Sequence, residues 1–261
     1  MNRRNLAIIV VVALIAVAAL IWGTAGGNSA LTKYDSVLVG QSFASRLSVP
    51  DAVLAQVGIG ASGNFPSKLT KTPLTLNGKP AIIYIGSEYC PYCAAERWPM
   101  IIALSRFGTF GNLRYMTSSP TDVAPSTPTF TFYNSTYQSS YITFVAREMQ
   151  TNMMVNGTYP TLQTLNATES NMIATLDQGG GIPFINFANR SVLSGATYSP
   201  LILQNMNWSQ IMAQIYVTNS TLSQSILGSA NLLTAQICRA TNNTPADVCM
   251  QSYIQKIEAF A

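Results

Sequence analysis

The sequence predicts an α/β fold in which helices flank a central mixed sheet. Three observations carry this. The apolar run Ala81 to Ile85 reads as a strand buried on both faces. Shortly after it, Ala94 to Phe107 carries apolar residues at helical spacing. Further strands and helices follow, up to a terminal run of helices. With 261 residues, 48% of them hydrophobic, the chain can fill a real core.

At the amino end, Arg3 and Arg4 precede an unbroken apolar stretch from Leu6 to Trp22, and small residues follow from Gly23 to Gly27. No polar face exists there, so a buried amphipathic helix is a poor description. The stretch reads as a transmembrane signal anchor, its arginines inside and the rest of the chain outside by the positive-inside rule. Its length also approaches that of a cleavable signal, and the paired arginines loosely resemble a twin-arginine signal. Seven Asn-x-Ser/Thr sequons, at Asn134, Asn156, Asn166, Asn189, Asn207, Asn219 and Asn242, agree with an exported glycoprotein. About four would arise by chance in so Asn-, Ser- and Thr-rich a chain.

After a polar spacer, Pro50 to Val57 reads as a short helix, followed by a Gly-rich loop. Leu74 to Leu76, the Asn77-Gly78 turn and Ala81 to Ile85 form a predicted hairpin. Beyond the helix over Ala94 to Phe107, where Pro99 predicts a kink, come strands at Leu113 to Thr117, Pro128 to Tyr133 and Tyr141 to Val145. A helix is expected over Thr161 to Leu176. A strand at Phe184 to Ala188 pairs with Ser191 to Leu193. Helices at Asn207 to Val217, Leu222 to Cys238 and Pro245 to Phe260 complete the chain, the last capped by Thr244 with Pro245 in its first turn.

Composition excludes several functions. Only 9% of residues are charged, and no basic run with interleaved aromatics is present, which argues against nucleic acid as a partner. Ten acidic residues imply stability that depends weakly on acidity, and an acidic exterior is a permissible habitat. There is no histidine, so a mixed Cys/His zinc site and a histidine-requiring copper-delivery site are both excluded. Gly58, Gly60 and Gly63 spell GxGxxG, but a helix precedes them and no helix follows, the reverse of a dinucleotide site. Met149, Met153 and Met154 read as packing, as does Trp98. No metal or cofactor is expected.

Chemistry concentrates at Cys90-Pro91-Tyr92-Cys93, where a buried strand has ended and a helix begins. Free N–H groups and the helix dipole favour a thiolate on Cys90, and Cys93 lies one turn on, within reach to resolve a mixed disulfide. Pro91 suits the first turn. A structural CxxC bridge, and an all-cysteine zinc site completed by Cys238 and Cys249, are the plainer alternatives. Cys238 and Cys249 read most simply as a disulfide stapling a helical hairpin, with a second redox pair as the sharper alternative.

The segment Ala81 to Phe107 with its CPYC resembles the active-site strand and helix of the thioredoxin superfamily. Gly181-Ile182-Pro183-Phe184 resembles that superfamily's cis-proline loop. The superfamily resemblance covers roughly Leu74 to Ser118 and Gly179 to Gln214; taken with the anchor and the Ser-, Thr- and Asn-rich body, the chain also resembles a group of archaeal membrane-anchored thioredoxin-like proteins. The resemblance implies catalysis by Cys90 and Cys93, with Pro183 packed opposite them and the backbone of Ile182 pairing with a substrate strand. Tyr92 would shape the docking surface. Where thioredoxin has a buried acid, six positions before the first cysteine, this chain has Tyr84. Glu88 is the nearest carboxylate: a possible proton relay, or an exposed loop residue without a role.

The implied organisation is a signal anchor and spacer over 1–30, a thioredoxin-like domain over 31–218 with an insertion at about 119–176 before the cis-proline, and a C-terminal helical hairpin over 219–261 packed on that domain. The expected activity is extracytoplasmic thiol-disulfide exchange on exported cysteine-containing proteins, with a membrane redox partner regenerating the pair. A thioredoxin-fold binding or assembly subunit of a membrane complex is the alternative.

Overall fold

A computed structural model describes residues 31–177 and 179–260. The anchor expected over Leu6 to Trp22 lies outside them. No helix among the described residues is long and apolar enough to cross a membrane.

Among the described residues, the named elements begin with α1 (Gln41–Ala44), a 3-10 turn (Ser45–Leu47) and α2 (Asp51–Val57). Short strands β1 (Ser67–Lys68) and β2 (Thr75–Leu76) precede β3 (Lys79–Gly86). Asn77 and Gly78 both adopt positive φ, at 52° and 74°, the geometry that a two-residue hairpin between twisted strands requires. Next come α3 (Pro91–Leu104), β4 (Gly108–Gly111), β5 (Arg114–Thr117), β6 (Pro128–Thr131), β7 (Thr136–Ser139) and β8 (Thr143–Glu148). The remainder is α4 (Ala167–Leu176), β9 (Phe184–Phe187), β10 (Ser191–Ser194), a 3-10 turn (Pro200–Leu203), α5 (Trp208–Ile215), α6 (Thr221–Ala240), α7 (Ala246–Cys249) and α8 (Ser252–Phe260).

β3 is the centre of the mixed sheet. It pairs in parallel with β8 from Ala81 to Gly86 and antiparallel with β9 from Ile82 to Ile85, so these neighbours occupy its two edges. β10 and then β1 extend the sheet beyond β9. Successive side chains of β3 alternate between faces, as the pleat dictates. Ile82 and Tyr84 join the main core with α3 and α6, whereas Ala81, Ile83 and Ile85 join a smaller core with Met172 of α4. Helices thus cover both faces, which is why the predicted strand reads as a continuous apolar run.

Several expectations need correction. The 119–176 segment is not a separable insertion, because β8 lies inside it and supplies the parallel partner of β3. In the C-terminal region, α6 is buried along most of its length and packs on α3 in the main core. The helix expected from Thr161 begins at Ala167, where Asn166 and Glu169 form a reciprocal capping box. The last expected helix is two, α7 and α8, and Pro245 is itself the N-cap of α7 rather than its first helical residue. Strands β4 and β7 pair with each other and lie in segments not read as strands.

Polar anchors fix α3 in this frame. The Trp98 indole donates to the Pro128 carbonyl at 2.9 Å, and Thr129 Oγ1 donates to the Ala94 carbonyl at 2.7 Å. Cys238 and Cys249 form a buried disulfide tying α6 to α7, which removes both from any metal site with Cys90 and Cys93. Glu96, wholly buried, accepts from the Thr197 N–H at 2.8 Å, and its other oxygen has no partner. Burial pushes this carboxyl up to about 7, against the lowering effect of its bonds to Thr197.

A carboxyl raised above its unfolded value lets the folded chain hold a proton that the unfolded chain releases. Its contribution is therefore complete below about pH 4.5 and is lost as pH rises through about 7. Chemical-denaturant titrations of the wild type should show stability falling over that window, by about 3 kcal/mol at most from this group. Glu96→Gln, which imitates the neutral acid, should flatten the profile; an unchanged slope would show that Glu96 does not titrate there.

Candidate functional site

The site forms where β3 ends and α3 begins. β3 delivers the chain into the Ser87 to Tyr89 loop, which is held against β8: the Met149 N–H donates to the Gly86 carbonyl at 2.7 Å, and the Glu88 N–H to the Gln150 carbonyl at 2.9 Å. Cys90 is the extended N-cap of α3, and Pro91 occupies the first turn, where its missing N–H leaves no bond unmade. Cys93 follows one turn on, wholly buried, while Cys90 is 5% exposed. Both are free thiols.

Cys90 Sγ accepts from the Cys93 N–H at 3.3 Å. The Cys93 thiol and then its backbone N–H hold Cys90 below the usual thiol range, against burial, with Arg97 and the Tyr92 N–H assisting. Cys93 is displaced the other way. Burial pushes it well above the usual range, and the hydrogen bond and charge of Cys90 add to that. Opposite environments thus divide the pair into a sulfur disposed to ionise and one that holds its proton.

Across from Cys90 lies the loop entering β9. The Ile182-Pro183 bond is cis, Pro183 is buried, and the Cys90 thiol faces the Ile182 carbonyl at 3.7 Å. Pro183 in turn accepts at its carbonyl from the Gly195 N–H at 2.8 Å, which ties the loop to the end of β10. The residues read from the sequence as cysteine pair and proline loop therefore meet. Tyr92 is 45% exposed at the rim, a side chain open to whatever approaches the sulfurs.

Glu88 is not an exposed loop residue. It is buried and accepts from Thr131 Oγ1 at 2.6 Å. Burial pushes it up to about 7; the Thr131 bond opposes this, Glu148 and Asp35 reinforce it, and Arg97 counteracts it. The bond it makes directs it toward β6. Nearby Asp35, half-buried and bonded to Thr117 and Asn152, is pushed by burial to about 6.

Two residues that sequence reasoning passed over dominate the electrostatics. Arg97, on α3, and Glu148, the last residue of β8, form a wholly buried two-pronged ion pair, with Nε to Oε1 at 2.9 Å and Nη2 to Oε2 at 2.6 Å. Nη2 also donates to the Ser87 carbonyl at 2.9 Å, so one guanidinium links the cysteine helix, the parallel strand and the loop between β3 and α3. Arg97 lies four residues after Cys93, on the same helix face. Its charge favours ionisation of both cysteines. A visible signal existed: in a chain with 9% charged residues, Arg97 and Glu148 each sit beside apolar runs that a solvated charge would avoid.

A family model described as a domain of unknown function (DUF929) matches residues 66–173. That span holds both cysteines, Arg97 and Glu148, and ends before Ile182 and Pro183. Neither the curated proteins nor the solved structures give a match.

Removing one partner of a desolvated ion pair strands the other charge, at a cost of about 3–5 kcal/mol. Arg97→Met and Glu148→Leu should each lower unfolding stability by about that much, and the double substitution should recover most of the loss. Equilibrium denaturation checks this; additive losses in the double variant would mean that the two side chains do not act as a pair.

Proposed function

We propose that this chain is a thiol-disulfide oxidoreductase with a thioredoxin-like fold, working through Cys90 and Cys93. One observation carries the reading: the Cys90 sulfur, at the start of a helix and bonded by the Cys93 N–H, faces the carbonyl preceding a cis proline. A CxxC within a β3–α3–β8 parallel crossover supports it, since that setting supplies helix-terminal N–H groups to the first sulfur.

In this reading, ionised Cys90 attacks a substrate disulfide. A Cys90–substrate disulfide forms as the substrate's own bond breaks, and the released sulfur leaves with the electron pair and takes up a proton. Cys93 then attacks Cys90, the second substrate sulfur departs, and the enzyme is oxidised by two electrons as the substrate is reduced. Oxidation of a substrate dithiol runs the same steps backward. Direction follows the reduction potential relative to the partner that resets the pair. The backbone of Ile182 and the Tyr92 side chain would receive the substrate chain.

The proposed setting is extracytoplasmic. The apolar Leu6 to Trp22 stretch would serve as anchor, exported cysteine-containing proteins as substrates, and a membrane electron carrier as the source of reset. Cys90 and Cys93 remain free while Cys238 and Cys249 are joined, the division expected when one pair turns over and the other is structural.

Expression of Cys93→Ala in the native host should accumulate covalent adducts that dithiothreitol releases, and Cys90→Ser should abolish both these adducts and insulin reduction. Equal insulin reduction by wild type and Cys90→Ser would favour a binding or assembly subunit with incidental cysteines.

A further inference from the structure

Beneath Cys93 lies a polar group that the exchange reaction has not used. Tyr84 is wholly buried on β3, and its hydroxyl has no hydrogen-bond partner. Buried phenols normally find one, because an unmade bond leaves the desolvation cost uncompensated. This hydroxyl points along β3 toward Gly86, two residues on and on the same face. A Cβ on Gly86 would collide with the Tyr84 hydroxyl and lie 3.0 Å from the Cys93 sulfur. Glycine at position 86 thus leaves open a space into which the phenol and the resolving thiol both project.

Arg97 completes the arrangement. Its guanidinium carbon lies 5.8 Å from the centroid of the Tyr84 ring, and its Nη1, also buried, has no partner. A cation over the ring face favours the position of the phenol, and the same charge favours an ionised Cys93.

We propose that the Tyr84 hydroxyl is the hydrogen-bond donor that stabilises negative charge on the Cys93 sulfur while the mixed disulfide is resolved. The inference rests on the redox reading above. In that step the Cys93 thiol loses its proton and its sulfur attacks Cys90; the bond between Cys90 and the substrate breaks, and the substrate sulfur leaves with the electron pair and takes up a proton from solvent. Tyr84 donates without giving up its proton, which its burial favours. Before attack, the Cys90 charge opposes ionisation of Cys93. Once Cys90 is bonded to substrate that opposition ends, and the attraction of Arg97 and the Tyr84 O–H remain. Among the described residues, the ionisable groups that act on Cys93 or Tyr84 include Cys90 at the N-cap of α3, Arg97 on α3, Tyr89 in the loop before it and Glu148 on β8.

Tyr84→Phe removes one atom from the core and keeps the ring over Arg97. In single-turnover reactions of the full chain with a disulfide peptide, quenched by acid and read by mass spectrometry, adduct formation should keep its rate. Adduct decay should slow by about tenfold or more, the usual weight of a hydrogen bond to a charged group, and its pH profile should move upward. Unchanged decay and pH profile would overturn the proposal. Cys93 can also be titrated apart from turnover, by carbon-13 cysteine NMR of Cys90→Ser with and without Tyr84→Phe. The titration should move to higher pH when the hydroxyl is absent, and coincident curves would also overturn the proposal. Failure of the redox reading itself appears differently: Cys93→Ala would then form no adduct with the same peptide.

Discussion

A guanidinium without access to water lies below the two cysteines, held by one carboxylate from a strand 51 residues further along the chain. Such a pair costs desolvation energy that its mutual attraction offsets only in good geometry. The two-pronged contact between Arg97 and Glu148, extended to the Ser87 carbonyl, supplies that geometry. Its consequence is positional. The helix carrying the sulfurs, the strand beside β3 and the turn between them are fixed to one charged centre, and both thiols lie within its field.

Scarcity of charge elsewhere gives this centre its weight. With few ionisable groups, those that are buried set the response to pH. Glu96 and Glu88 are raised to about 7 and Asp35 to about 6, burial being the first cause in each. Composition alone suggests weak dependence on acidity, but these groups give the dependence a sign. Each favours the folded chain in acid and loses that contribution toward neutrality. The sign follows from where the acids lie and not from their number.

What was legible in the sequence was local. The Asn77-Gly78 hairpin, the strand-to-helix placement of Cys90 and the Ile182-Pro183 loop are carried by adjacent residues, and each appears in the structure where expected. Pairing of Cys238 with Cys249 was legible for the same reason, since few residues separate them. Contacts across long separations were not. Sequence pattern marks part of β8 as a strand but places it within an insertion, because nothing in residues 143–148 announces β3 as a parallel partner. Glu88 looked like a solvated loop residue because its partner, Thr131, comes from another sheet. The late start of α4 is readable in principle, since Asn166 followed three residues later by Glu169 is the pattern of a capping box.

The central claim is that the fold makes Cys90 more acidic than an ordinary thiol while keeping Cys93 protonated. Its most direct measure is the rate of iodoacetamide alkylation at Cys90 of the reduced full chain as a function of pH, with the site of modification identified by mass spectrometry. The account predicts a profile that rises well below the midpoint of a free cysteine, at about 8.5, with Cys93 unmodified throughout. A midpoint at or above that of free cysteine, or alkylation of Cys93 first, would contradict it.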